Sequence, residues 1–173
     1  MDVASTLNVS RALKSPGLSL PFEADAQIPE MEVLGDPVRF EDVAVKGEVV
    51  GSSETVGVEA VVTATVHSRC ARCLEAVSLP ISAEMQAVFA RQPDPNDPDQ
   101  YAFEGYTVDL SEAVKDALVL QLPMRFLCRE DCRGLCPKCG VNLNTGSCSC
   151  REGEDDVNPF SVLRSIVEND EEV

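Results

Sequence analysis

Eight cysteines carry the evident chemistry of this chain. Six of them crowd into residues 127–150, LCREDCRGLCPKCGVNLNTGSCSC, and the other two form a separate pair, Cys70 and Cys73. The run from Cys136 to Gly140 reads C-P-K-C-G, a zinc-knuckle spacing. Such a turn points two thiolates at one tetrahedral ion while backbone N–H groups face the sulfurs. Cys148 and Cys150 follow after the polar stretch NLNTGS, which suits a turn and can return two more sulfurs to the same centre. The spacing therefore predicts one four-cysteine site from Cys136, Cys139, Cys148 and Cys150.

The remaining four are Cys70 and Cys73 in C-A-R-C, and Cys128 and Cys132 in C-R-E-D-C. If these also meet, a second site staples together two regions well separated in sequence. That pairing is an inference, since eight cysteines admit many connectivities. The N-terminal stretch MDVASTLNVSRALKSPG has no basic segment followed by an apolar run, so neither a secretory signal nor a membrane anchor is expected. The expected setting is a reducing cytoplasm, where clustered cysteines serve more often as metal ligands than as disulfides. We expect two structural zinc ions. Free or transiently oxidised thiols are the other reading, and Cys70 and Cys73 could be two ordinary buried thiols. A turn with Arg69 and Arg72 alongside is, however, a poor place to bury them.

Other chemistries find little support. The single histidine, His67, lies three residues before Cys70, near enough to be an alternative zinc ligand, but no motif gives it a catalytic triad. No glycine-rich phosphate cradle occurs. Two all-cysteine sites would leave no open coordination position for a substrate, so no enzymatic activity is expected. A formal net charge of -16 and a pI near 4.3 oppose steady binding to a polyanion and favour basic partners.

The elements that must position these cysteines are legible from periodicity. Val56, Val58, Ala60, Val62, Ala64 and Val66 occupy every other position, as on one face of a strand. The period resumes at Val77, Leu79, Ile81, Ala83, Met85, Ala87 and Phe89. Cys70 and Cys73 thus fall at the tip of a long hairpin. Phe40 to Val50 reads as a further strand, and residues 1–38 as short strands and loops. Residues 92–105, rich in proline and acid, read as a solvated loop. Asp109-Leu110-Ser111-Glu112 resembles a capping box opening a helix that runs to Pro123 and delivers the chain to Cys128. Beyond Cys150, Asn158-Pro159 predicts a short helix with Phe160, Leu163, Ile166 and Val167 as its apolar stripe.

The expected fold class is α+β: a twisted antiparallel β-sheet with a packed helix and a cysteine-rich, zinc-stapled C-terminal segment. Residues 1–122 would hold the sheet core with helix 109–122. Residues 123–173 would hold the zinc segment and the C-terminal helix.

Several of these motifs occur together. VHSRCARCLE at 66–75, the capped helix, Leu122-Pro123, LCREDCRGLCPKCGVNLN at 127–144, the closing C-x-C and NPFSVL resemble the YceD family of large ribosomal RNA subunit accumulation proteins. The resemblance covers residues 30–167 and implies a bacterial or plastid-type factor needed for accumulation of 23S rRNA, with ribosome assembly as its context. It is to the cysteine-rich form of the family, which makes the metal a structural support. With so acidic a chain, the expected partner is a basic ribosomal protein or a large-subunit assembly intermediate, direct rRNA contact being left open. The acidic loop Asp94 to Asp99 and the tail Glu152 to Glu172 suit such a partner. Two other classes stay in view. One is a zinc-ribbon nucleic-acid-binding module, supported by Arg125, Arg129, Arg133, Lys138 and Arg151. The other is a thiol redox protein, although its C-x-x-C motif would belong between a strand and a helix.

Overall fold

The computed structural model describes residues 5–33, 35–97 and 99–150. The chain forms two compact units, Met1–Cys132 and Arg133–Val173. The first contains, in order, β1 (Thr6–Asn8), α1 (Ser10–Lys14), β2 (Ser19–Asp25), β3 (Met31–Val33), β4 (Asp36–Gly51), β5 (Thr55–Arg69), β6 (Ala76–Ala90), β7 (Gln100–Ala102), β8 (Thr107–Asp109) and α2 (Ser111–Leu120).

Three long strands form the frame. β4, β5 and β6 pair antiparallel, and the β5–β6 ladder runs unbroken from Thr55↔Ala90 to Arg69↔Ala76. Strict alternation places Val56, Val58, Ala60, Val62, Ala64 and Val66 in the core, facing Phe89, Ala87, Met85, Ala83, Ile81 and Leu79 of β6. Phe40, Val45 and Val49 extend the same face across β4. The sheet order is β2-β4-β5-β6-β7, with β3 paired to the other end of β4 and β1 paired separately with β8.

The sheet is mixed where an antiparallel one was expected, because β7 runs parallel to β6. The acidic loop after β6 folds back on itself. Asp94 accepts hydrogen bonds from the N–H of Asn96 (2.9 Å) and its Nδ2 (3.0 Å), and Asp97 accepts from the N–H of Asp99 (3.1 Å) and from Gln100 Nε2 (2.8 Å). The chain therefore comes back beside Val88 and continues in the direction of β6. Phe103, inside the stretch expected to be solvated, is buried, and Tyr101 packs on Phe89 with ring centroids 5.5 Å apart.

Two glycines admit backbone where a side chain would collide. A Cβ on Gly47 would stand 2.1 Å from the Glu59 carbonyl oxygen, so glycine here permits the close coiling of β4 against β5. A Cβ on Gly51 would meet the Ala12 backbone at 2.3 Å, where α1 crosses β4.

The helix α2 lies on β5 and β6 and buries Ala113, Val114 and Leu118. It begins at Ser111, two residues later than expected. Leu110 holds the N-cap position with helical dihedrals, and Asp109 Oδ1 accepts the Ser111 N–H at 2.9 Å in place of a full capping box.

The units divide after Cys132, ten residues beyond the expected boundary at 122. Residues 126–132 are tied to the hairpin tip. The Ala71 N–H donates to the Phe126 carbonyl (2.8 Å), and Arg72 Nη1 donates to the carbonyls of Glu130 (3.1 Å) and Cys132 (2.8 Å). The C-terminal helix expected around Phe160 to Val167 lies outside the described residues. Among the described residues no helix is long and apolar enough to cross a membrane.

Candidate metal centres

The β5–β6 hairpin closes at Arg69↔Ala76, and its tip is the turn Cys70-Ala71-Arg72-Cys73-Leu74-Glu75. The Leu74 N–H donates to the Cys70 carbonyl (2.9 Å), and the Cys70 N–H donates to the Glu75 carbonyl (2.8 Å). The same bonds recur in the second unit. There the Gly140 N–H donates to the Cys136 carbonyl (2.8 Å) and the Cys136 N–H to the Val141 carbonyl (2.8 Å). Both turns place their fifth residue in the left-handed region, Leu74 at φ 63° and Gly140 at φ 74°. One turn is thus used twice, and both times it aims a C-x-x-C pair at a common point.

At the first centre Cys128 and Cys132 join Cys70 and Cys73. The Cys70 and Cys132 sulfurs lie 3.8 Å apart, and those of Cys73 and Cys128 lie 3.6 Å apart. All eight cysteines are free thiols. Four thiolates at about 2.3 Å around one tetrahedral ion stand about 3.8 Å from one another, so the spacing fits a single ion. It is far too long for a disulfide. Cys70, Cys73 and Cys132 are buried.

At the second centre Cys136, Cys139, Cys148 and Cys150 bring their sulfurs within 4.8 Å of one another. The loop between its two pairs is held by asparagines. Asn142 Oδ1 accepts the Asn144 N–H (2.9 Å), the Asn142 carbonyl accepts the Gly146 N–H (2.9 Å), and Asn144 Oδ1 accepts the Arg133 N–H (2.8 Å). This centre is the more open, with Cys136 buried, Cys139 exposed, and Cys148 and Cys150 half-buried.

Each quartet is electrostatically unsettled as a set of bare thiols. Burial pushes the Cys70 thiol up, but the backbone N–H groups of Cys128, Arg72 and Cys73 outweigh it and draw it down to about 6. Cys73 moves the other way. The Glu75 backbone draws it down, yet burial and the sulfurs of Cys70, Cys128 and Cys132 push it up to about 12. Burial raises Cys128 as well. In the second centre the N–H groups of Cys139 and Lys138 lower Cys136 to about 6, while the Cys139 sulfur, burial and Cys148 raise Cys150 to about 12. One sulfur in each quartet readily carries charge and its neighbours resist following. A divalent cation removes that conflict by stabilising all four thiolates together. Each quartet could hold a metal ion, and the structure brings together the four cysteines of each expected group.

His67 belongs to neither quartet. Its Nδ1 lies 2.8 Å from Ser78 Oγ, and its Nε2 comes within 2.9 Å of Glu41, close enough for an ion pair though without hydrogen-bond alignment. Arg39 takes the other Glu41 oxygen at 3.0 Å. The basic residues proposed as a nucleic-acid footprint are divided between the two units. Arg125 and Arg129 belong to the first unit, Arg133 and Lys138 to the second, Arg129 lies 3.5 Å from Asp131, and Arg151 is outside the described residues. Two contributors escaped sequence reading: Arg72, which ties the tip to residues 130–132, and Leu74, the strained counterpart of Gly140. The shared C-x-x-C-x-x frame was the available signal for Leu74.

The sequence profile described as "Large ribosomal RNA subunit accumulation protein YceD" matches residues 58–167, which include all eight cysteines. The chain is similar to an uncharacterized protein of Mycobacterium tuberculosis (strain ATCC 25618 / H37Rv), with 31% identity covering 80% of this chain and 70% of the relative. It is 36% identical to an uncharacterized protein of Mycobacterium leprae, a match covering 53% of this chain and 44% of that protein's length. A third similarity, 33% identity over 37% of this chain and 21% of the relative, is to the "Large ribosomal RNA subunit accumulation protein YCED homolog 1, chloroplastic" of Arabidopsis thaliana. No solved structure gives a significant match.

Proposed function

Since the chain belongs to the YceD family of large ribosomal RNA subunit accumulation proteins, we propose that it serves the biogenesis of the large ribosomal subunit in the cytoplasm. It supports accumulation of 23S rRNA by binding an assembly component, and not by catalysis. The observation that carries this reading is the family match across residues 58–167, which takes in the hairpin tip, the helix and both cysteine turns as one linked set.

The two quartets hold one zinc ion each. Tetrahedral all-sulfur zinc coordination accommodates the sulfur spacing of the first centre, and zinc supplies cross-linking strength without redox chemistry. Bound by four thiolates it keeps no position for substrate, which favours a structural role. The first ion joins the β5–β6 tip to the segment after α2; the second organises a stretch, residues 133–150, that adds no described residue to the hydrophobic core.

The bound component is a basic ribosomal protein or an intermediate that contains one. A net charge of -16 supports this over direct attachment to phosphate, because each phosphate contact needs a local cation and the chain has 14 lysines and arginines against 30 acids.

Removing the chain from its cell tests the reading. The expected result is a fall in 23S relative to 16S rRNA, accumulation of large-subunit precursors, and co-sedimentation of the restored protein with those precursors. Unchanged 23S levels and an unchanged precursor profile would overturn it.

A further inference from the structure

We propose that the open face of the sheet, centred on Val61 and rimmed by Glu48, Glu59 and Glu84, docks a basic polypeptide segment of the assembling large subunit. This deepens the biogenesis reading and rests on it. The period of two that buries the valine core turns a second set of side chains outward. Their register across β4, β5 and β6 is fixed: Glu48 faces Glu59, Lys46 faces Val61, which in turn faces Glu84, and Gly57 lies between Val50 and Val88. Val61 is 45% exposed, and Val50 and Val88 are each 39% exposed. The result is a row of carboxylates, Glu48 and Glu59, lying between two aliphatic patches, Val61 on one side and Val50 with Val88 on the other.

Its charges are poorly matched within the chain. Like charges directly opposite on neighbouring strands are destabilising. Lys46 is engaged by Glu23 at 3.3 Å, and Glu48 receives only the Ser19 hydroxyl. Among the described residues no cation pairs with Glu48, Glu59 or Glu84. The loop Asp94 to Asp99, the acidic surface first suggested by sequence, uses Asp94 and Asp97 to fold itself. The sheet face instead holds its carboxylates in fixed register on a continuous ladder.

Charge selects the occupant. A lysine- or arginine-bearing segment neutralises the Glu48–Glu59 pair and Glu84 while laying an aliphatic residue on Val61. RNA phosphates meet repulsion there. So does a second copy of the chain. The chain's own residues 151–173 include apolar Phe160 and Leu163 but are also strongly acidic, with Glu152, Asp155, Asp156 and Glu168.

The test uses the full chain, zinc-saturated and valine-methyl labelled for NMR, titrated with individually purified basic large-subunit ribosomal proteins and separately with 23S rRNA. We expect at least one ribosomal protein to shift the Val50, Val61 and Val88 methyls. The double variant Glu59→Lys, Glu84→Lys should weaken that protein's binding at least about tenfold with an unchanged far-ultraviolet dichroism spectrum. The proposal is overturned if no ribosomal protein binds, if binding leaves these methyls unmoved, or if charge reversal has no effect. It is equally overturned if 23S rRNA moves the same methyls, if they shift with the concentration of free protein, or if Phe160→Asp moves them in free protein. Complementation separates the two readings. If wild-type and doubly reversed chains restore 23S equally, the surface fails and the biogenesis role stands; if wild type restores nothing, the biogenesis role fails.

Discussion

Leu74 occupies the position in the hairpin-tip turn that Gly140 occupies in the second cysteine turn, each with positive φ and each donating its N–H to the first cysteine's carbonyl. Leucine pays about 1–2 kcal/mol for a left-handed backbone that glycine enters freely. The Leu74 side chain is 60% exposed, so little packing offsets that strain. We expect Leu74→Gly to stabilise the first unit by about 1 kcal/mol, and Gly140→Leu to destabilise the second by a similar amount. Denaturant midpoints of zinc-saturated protein check the first. Zinc retention against a chelator checks the second. A Leu74→Gly variant less stable than wild type would show that Leu74 makes a contact worth more than its strain.

Metal content gives the next expectation. Purified under reducing conditions, the chain should hold about two zinc ions, each bound by four sulfurs. The second centre, with exposed Cys139, should surrender its ion to a chelator before the more buried first centre does. Closed zinc sites supply on the order of 10 kcal/mol of local folding free energy. Cys139→Ser should therefore cost one ion and unfold the second unit, leaving the thermal transition of the sheet in place. Loss of that transition would contradict the division into two units.

The first centre makes its own prediction. Cys128 and Cys132 are held at the hairpin tip through Cys70, Cys73 and the Arg72 guanidinium. Cys70→Ser should expose Cys128 and Cys132 to thiol labelling, and Arg72→Ala should do so partially, with a loss of about 1–3 kcal/mol from the bonds to Glu130 and Cys132. Unchanged protection in Cys70→Ser would mean that the four do not share an ion.

How much of this was legible beforehand follows from the kind of signal involved. The β5–β6 hairpin could be read because its valines and alanines obey period two over fifteen residues in each strand. The second quartet could be read from the C-P-K-C-G turn and the C-x-C that follows it, whereas the first, joining Cys70 and Cys73 to Cys128 and Cys132, could only be inferred from the cysteines left over. The parallel β7 could not: three residues carry no period, and their pairing depends on a loop that folds through Asp94 and Asp97. The unit boundary moved from 122 to 132 for a related reason. The bonds from Ala71 and Arg72 to residues 126–132 are long-range and leave no pattern in local sequence.

Tyr101 supplies a pH dependence. Burial, reinforced by the hydroxyl's hydrogen bond to Asp116 (3.1 Å) and the charge there, pushes its phenol up to about 12. A raised folded-state pKa means that the folded chain holds this proton more tightly than the unfolded one. The associated stability is complete below the ordinary phenol value of about 10 and is lost as pH rises from there toward 12. The stability difference between wild type and Tyr101→Phe should therefore shrink across that window. The variant should also lose a phenolate absorbance step near pH 12. An unchanged step would show that Tyr101 is not its source.

Gly47 and Gly57 lie ten residues apart and on opposite faces of the sheet, and they should respond oppositely to the same substitution. A Cβ at Gly47 would lie 2.1 Å from the Glu59 carbonyl oxygen and 2.5 Å from the Ala60 Cα, both backbone atoms that can yield only if β4 and β5 separate. A Cβ at Gly57 would meet nothing nearer than the Val50 carbonyl oxygen at 3.9 Å. Gly47→Ala should cost about 2 kcal/mol or more, as overpacking does. Gly57→Ala should be neutral or stabilise by up to about 1 kcal/mol, since alanine loses less backbone freedom on folding. Urea unfolding of the two variants in parallel decides the matter. Equal midpoints would mean that the close coiling of β4 on β5 is not what requires a glycine at position 47.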